Sequence, residues 1–291
     1  MKLLKKMCIL CFVIMLLGGC ELSNSSMENI NIYTTTYPIN FLITSLYGEH
    51  AKIYSIYPIG TTLSNYKLSD KKLEEYSKSD LFIFNSLDKE KDRDYAVKMI
   101  NINDKLKVID VATDMNYENG IEELWLNPNE YLMMAENIKN GLAEYINNPY
   151  LVSEINDKYD DLEYQISKLD ANLNETVESA KYRVVVVDSD VFKFLEHHGL
   201  RVISLEENDN LNSNVIEEVN ALIDQGKIKY IYSTSSESNG TVKNIITNKG
   251  VELVPLNTMN SIDGSITNSN DNYLSIMANN INLLKKELYK E

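Results

Sequence analysis

The side chains best placed for chemistry are carboxylates. Asp188-Ser189-Asp190 follows the apolar run 184–187 and has the Asp-x-Asp spacing of a divalent-cation motif. A strand end also suits Asp188 or Ser189 as a helix cap, and the two roles are compatible. Glu123 and Asp188 together would serve as acid and base of a paired-carboxylate hydrolase. Nothing else supports turnover: there is no phosphate-cradling Gly-rich loop, no Gly-x-Ser-x-Gly elbow and no His-Glu-x-x-His. The expectation is a binding protein, not an enzyme. His197 and His198 are adjacent, so on a helix they point in different directions, and the C-terminal turn suits them better than a metal does. His50 stands alone in a loop. The polar run 233–240, Ser-Thr-Ser-Ser-Glu-Ser-Asn-Gly, follows a strand and either lines a cleft or turns the chain.

The chain has 291 residues, and 28 Lys plus Arg against 43 Asp plus Glu leave a net charge of −15. A negative field of that size repels phosphate backbones, which argues against nucleic acid, and makes a small cationic solute a more natural ligand than an anion. Lys2, Lys5 and Lys6 precede an apolar run at 7–17, and Leu17-Gly18-Gly19-Cys20 closes it with small residues. This has the three regions of a secretory signal with a lipobox-like end, which predicts cleavage before Cys20 and lipidation of its thiol. The apolar run falls short of the about 20 residues that span a bilayer. All three cysteines, Cys8, Cys11 and Cys20, lie here, so the mature chain has no thiol for a disulfide or a thiolate metal site. Residues 1–19 read as the signal peptide and 20–28 as a lipidated tether that holds the protein on the outer face of the cell membrane.

Short β-rich runs at 30–34, 52–57, 81–85 and 107–111 alternate with helical patterns at 39–47, 70–77 and 129–146. Ser69 is a suitable N-cap, with Asp70 in the first turn where the dipole favours an acid. The period then changes: Leu151, Ile155, Tyr159, Leu162, Ile166, Leu169, Leu173 and Val177 keep one apolar face, and Pro149 suits the start of that helix. A stripe this long either joins two lobes or forms a coiled-coil seam, and its length favours the first. Alternation resumes with strands at 183–187, 202–205, 229–232 and 252–256 and helices at 191–198, 214–225, 241–248 and 272–289. The fold class is therefore α/β: two Rossmann-like lobes with parallel sheets, 29–148 and 181–291, joined by one long rigid helix at 149–180. Ligands in such sheets sit at the carboxyl ends of the strands, here in a cleft between the lobes.

Several pieces, in order, carry a resemblance: Thr36-Tyr37-Pro38; Pro58-Ile59-Gly60 with Tyr66 and Ser69; Ser79-Asp80-Leu81-Phe82; Leu124-Trp125-Leu126-Asn127-Pro128; 184–200 ending His198-Gly199-Leu200; and 273–284 with Asn280. Over nearly all of the mature chain they resemble the metal-binding substrate-binding lipoproteins of bacterial ABC importers, the zinc and manganese group. The resemblance implies a monomer that captures a cation between its lobes and hands it to a membrane permease driven by an ATPase, with limited lobe closure about the linking helix. The metal-ligand positions it implies fall on Ser64, Glu123, Asp188 and Asn257, and the strand-end glutamate of the manganese members falls on Ser233. No histidine stands at any of these positions, and the family's His-rich acidic loop is absent. Thr36, Tyr37, Tyr66, Trp125 and Ser233 are expected to line the cleft, with Tyr57 a further candidate. Four oxygen donors disfavour zinc, which takes nitrogen or sulfur, and suit manganese, calcium or magnesium. The alternative is a member that has lost its metal, and binds another small solute or acts as an interaction or adhesion lipoprotein at the cell surface.

Overall fold

A computed structural model describes residues 27–260, apart from 59, 62 and 64, and residues 271–290. The expected signal peptide, the expected lipidation at Cys20 and Ser64, the first expected ligand position, thus lie outside the described residues. No helix among those described is long and apolar enough to cross a membrane.

The first lobe runs β1 (Ile30–Thr34), α1 (Tyr37–Tyr47), β2 (Ala51–Ser55), α2 (Asp70–Tyr76), β3 (Leu81–Phe84), α3 (Asp92–Ile102), β4 (Lys107–Asp110), α4 (Glu123–Leu126) and α5 (Pro128–Tyr145). The long helix α6 (Pro149–Glu178) follows. The second lobe has β5 (Val184–Val187), a 3-10 helix (Asp190–His198), β6 (Arg201–Ser204), α7 (Ser213–Asp224), β7 (Tyr230–Ser233), α8 (Gly240–Lys249), β8 (Glu252–Pro255) and α9 (Tyr273–Leu288). Each lobe holds a four-stranded sheet, in the orders β2-β1-β3-β4 and β6-β5-β7-β8. All pairings are parallel, with Ile32 opposite Leu81 in one sheet and Val186 opposite Ile231 in the other. Strand order reverses between β1 and β3 and again between β5 and β7, and at such switch points the connections diverge and leave a crevice. The segments after those four strands are 35–36, 85–92, 188–190 and 234–239, and they carry most of what the site offers.

α6 starts at Pro149, where Asn148 caps it by accepting from the Tyr150 N–H at 3.1 Å. Thirty residues at about 1.5 Å each make it about 45 Å long. All eight stripe residues from Leu151 to Val177 are buried, against α1, α5, α9 and the 3-10 helix of the same chain. The stripe is covered internally, so it is no dimer seam.

Two elements differ from expectation. Residues 190–198 form a 3-10 helix that buries Val191, Phe192, Phe194 and Leu195; this i, i+1, i+3, i+4 spacing suits an α-helix as well, so the apolar pattern alone does not distinguish the two forms. α3 was not expected: Tyr95, Ala96 and Met99 face the core, but Val97, Ile100 and Ile102 face out, which blurs the apolar period. The 3-10 helix ends on Gly199 at φ 92°, a conformation an L side chain disfavours by about 1–2 kcal/mol. Gly199→Ala should lower stability by about that amount in urea unfolding, and Gly199→Asn by less.

Candidate functional site

At the second lobe's switch point Asp188 is 8% exposed and follows β5 directly. Its Oδ2 accepts from the Ser233 hydroxyl at the end of β7, and its Oδ1 accepts from the Thr234 N–H at 3.0 Å. Burial pushes the Asp188 carboxyl above the usual range, the bonds from Ser233 and Thr234 draw it back, and the Glu206 charge nearby raises it. Asp190 turns away to Lys193 at 2.9 Å and the Asn208 amide at 3.1 Å. The two acids of Asp-x-Asp therefore serve different partners, and Ser189 is the cap, accepting from the Val191 N–H at 3.4 Å.

Across the lobes, Glu123 opens α4 and is 7% exposed. Its Oε2 accepts from the N–H groups of Glu118 and Asn119 at 3.1 and 3.2 Å, which closes the loop before α4. Burial raises the Glu130 carboxyl, as does the Glu123 charge, against an opposing pull from His197. Asn257 follows β8: its Oδ1 accepts from the Met259 N–H at 2.8 Å, while Asn280 bonds both its N–H and its carbonyl at 2.9 and 2.8 Å. Trp125 fastens the lobes. Its Nε1–H donates to the Thr258 carbonyl at 2.8 Å, and its own carbonyl accepts from the Tyr273 hydroxyl at 2.7 Å. Asn260 donates its Nδ2 to Glu122 Oε1, and its carbonyl accepts from the Leu63 N–H at 3.2 Å.

Asp188 and Ser233 are thus brought together, whereas Glu123 and Asn257 each bond into their own loops. Among the described residues no three His, Cys, Asp or Glu side chains are grouped to hold a metal ion. His50 bonds Glu154 at 3.1 Å and His198 bonds Asn174 at 2.8 Å, away from these positions. A carboxylate offers about four lone-pair sites, so the bonds that Glu123 and Asp188 accept leave room for a hard cation, but the positions offer no nitrogen or sulfur for zinc.

At the first lobe's switch point lies a cavity of about 670 Å³, lined by Thr36, Asn85, Asp92, Glu122, Trp125 and Asn260 among others. Of the expected cleft-lining residues, Thr36 and Trp125 line it. Tyr37 is half-buried between a hydrophobic cluster of the first lobe and the core that runs through both lobes, Tyr66 packs edge-on to Tyr57 at 5.9 Å, and Ser233 is fully buried beside Asp188. Asp92 opens α3, is 1% exposed and accepts from the Tyr57 hydroxyl at 3.0 Å. Burial pushes its carboxyl up to about 7, and the Asp88 charge adds to the rise. Thr36 Oγ1 and Asn85 Nδ2 are buried with no hydrogen-bond partner. Sequence reading missed Asn85, Asp92, Glu122 and Asn260; the available signal was that Asn85 directly follows a parallel strand.

Residues 32–287 match the family described as "Zinc-uptake complex component A periplasmic", a span that includes both sheets and α6. The chain belongs to that family. The zinc-binding lipoprotein AdcA of Streptococcus pneumoniae R6 is 24% identical to it over 315 residues, covering 99% of this chain and 61% of AdcA. The chain thus spans about three-fifths of the length of the curated relatives it matches. The Zn(II)-bound ZnuA-like domain of S. pneumoniae AdcA has the same fold, with a TM-score of 0.72 at 22% identity, covering 89% of this chain and 99% of that one. So has the metal-dependent lipoprotein YcdH of Bacillus subtilis, at 0.74 and 16%, with 89% and 99% covered. Zinc-uptake component A proteins bind solutes and are not enzymes, which removes the hydrolase reading of Glu123 and Asp188.

Proposed function

We propose that this chain is the solute-binding lipoprotein of a metal-type ABC importer, anchored through Cys20 outside the cell membrane, which takes up a divalent cation between its lobes and delivers it to a permease and its ATPase. The observation that carries this reading is the family match across both lobes, together with two buried carboxylates, Glu123 and Asp188, at positions where the family resemblance puts metal ligands. Manganese, calcium or magnesium suits the oxygen donors Ser64, Glu123, Asp188 and Asn257 better than zinc does. AdcA is zinc-binding by name, so this chain would differ from that relative in its cargo.

The test is the melting temperature of the purified full-length chain with each of these metals and zinc, against a chelator control. Saturation at about 100 times the dissociation constant adds about 2.7 kcal/mol, roughly 5–10 °C for a chain of this size. We expect the shift with a hard cation and its loss in Glu123→Ala/Asp188→Ala. A cooperative melt that no metal moves would remove the cation from the proposal. It would favour the second reading, a family member without metal that binds another solute or acts as a surface interaction protein, to which the inward hydrogen bonding of Glu123, Asp188 and Asn257 already lends support.

A further inference from the structure

The cavity at the first lobe's switch point has a chemistry that the cation reading does not use. Glu123, Asp188 and Asn257 are not among the described residues that line it, and its volume of about 670 Å³ is in the range of small-molecule pockets rather than that of a bare ion. Its wall carries both signs of charge. Asp88, Glu90, Asp92 and Glu122 supply carboxylates, and Lys89 and Lys91 supply ammonium groups. Lys91 is engaged by its Nζ with the Leu63 carbonyl, which leaves the exposed Lys89 better placed to meet a solute. Leu87, Ile121 and the Trp125 ring give apolar contact around these groups.

Unmet hydrogen bonds point the same way. Asn85 is 1% exposed, its Oδ1 accepts from the Leu87 N–H at 3.0 Å, and its Nδ2 has no partner. Thr36 is 6% exposed and its Oγ1 is likewise unpartnered. A buried polar group left unpaired is costly, so such groups in a cavity wall await a partner from a ligand or a water. An amide nitrogen can only donate, so the missing partner of Asn85 is an acceptor, which a carboxylate oxygen supplies. A bare cation would leave Asn85 unsatisfied and face two lysines; a simple anion would face four carboxylates in a chain of net charge −15.

We propose that this cavity is a ligand site for a small zwitterion of the amino-acid type, with its ammonium group against Asp88 and Asp92 and its carboxylate taken by Asn85 and Lys89. The charged and titratable groups around Asp92 are Tyr57 after β2, Asp88, Lys89, Glu90 and Lys91 in the turn before α3, and Glu122 on the opposite wall. Burial keeps the Tyr57 phenol protonated and donating, so Asp92 is the group whose charge changes near neutrality. An ammonium group binds the ionised carboxylate, so binding releases a proton below the Asp92 pKa. Affinity should therefore be about tenfold weaker near pH 6 than near pH 8, as expected when one group of pKa about 7 must ionise.

The experiment is calorimetric titration of the full-length chain with each standard L-amino acid, with ethylammonium and acetate as single-charge controls and a chelator present throughout. The chelator keeps this result separate from the cation titration, so either proposal can fail alone. We expect at least one amino acid to bind while both controls do not, with the stated pH dependence. Lys89→Ala and Asp88→Asn, one at an exposed and the other at a half-buried position, should each weaken binding at least about tenfold, the scale of a lost charged hydrogen bond. If no amino acid binds a cooperatively folded chain, or if binding is unchanged in both variants, the zwitterion site is wrong.

Discussion

Replacing Trp125 by alanine should lower the folding free energy by about 3–5 kcal/mol, the usual loss for removing a large buried aromatic ring. The ring is 1% exposed and belongs to a four-residue helix that is too short to hold itself. Trp125 is held from the second lobe at both its side chain and its backbone, by Thr258 and Tyr273. Its removal opens a void and also breaks the side-chain bond from α4, which carries Glu123, to the Thr258 carbonyl, while the backbone bond from Tyr273 on α9 remains. Trp125→Phe separates these terms. It keeps most of the apolar contact but leaves the Thr258 carbonyl without its donor, a loss of about 1–3 kcal/mol on top of the smaller ring volume. Urea unfolding followed by circular dichroism measures both, since the only tryptophan in the chain is the one replaced. Equal losses in the two variants would mean that the hydrogen bond, and not the ring, holds the lobes together. A loss below about 1 kcal/mol in Trp125→Ala would mean that the lobes dock without it.

The two lobes and α6 were readable because their evidence is local and periodic. The eight apolar positions from Leu151 to Val177 recur at helical spacing, and every one is buried. Val184–Val187 reads as a central strand for the same kind of reason, since both its faces are covered. Local reading failed where an element turns apolar side chains outward, as α3 does with Val97, Ile100 and Ile102. The site divides along a similar line. Asp188 follows the Val run and Glu123 precedes the sole tryptophan, so both could be singled out by position. The cavity could not. Asn85 follows β3, Asp92 opens α3 and Asn260 lies beyond β8, and what brings them together is the reversal of strand order in the first sheet with the docking of the second lobe over it. Neither the strand order nor the docking is written in any local pattern.

Asp92→Asn should stabilise the protein above neutral pH and do little in acid. An ordinary aspartate loses its proton near 3.9 in the unfolded chain, whereas burial holds the Asp92 proton up to about 7 in the folded one. Between those values the folded state binds one proton more than the unfolded state, so this group's contribution to stability falls as pH rises, and it reaches its floor once Asp92 ionises above about 7. At about 1.4 kcal/mol per pH unit the fall approaches about 4 kcal/mol, an upper bound because the interior relaxes around the charge. The amide of the variant carries no proton to lose, and its Oδ1 still accepts from the Tyr57 hydroxyl that Asp92 uses at 3.0 Å. The difference in urea unfolding free energy, variant minus parent, should therefore be near zero below about pH 4, climb between about pH 4 and 7, and level off beyond. A difference that stays flat across that range would show that Asp92 is ionised throughout, and the about tenfold pH dependence expected of zwitterion binding would go with it. Glu287 is the contrasting case. It is equally buried, but it accepts from the N–H groups of Lys229 and Tyr230 at 3.0 Å and from the Lys290 ammonium group. Its carboxylate is met by an ammonium group within the fold; an ionised Asp92 would be favoured by Thr35, Tyr57 and the Asn85 backbone but has no cation among the groups that shift it, and the ammonium group of a bound solute would supply the missing countercharge.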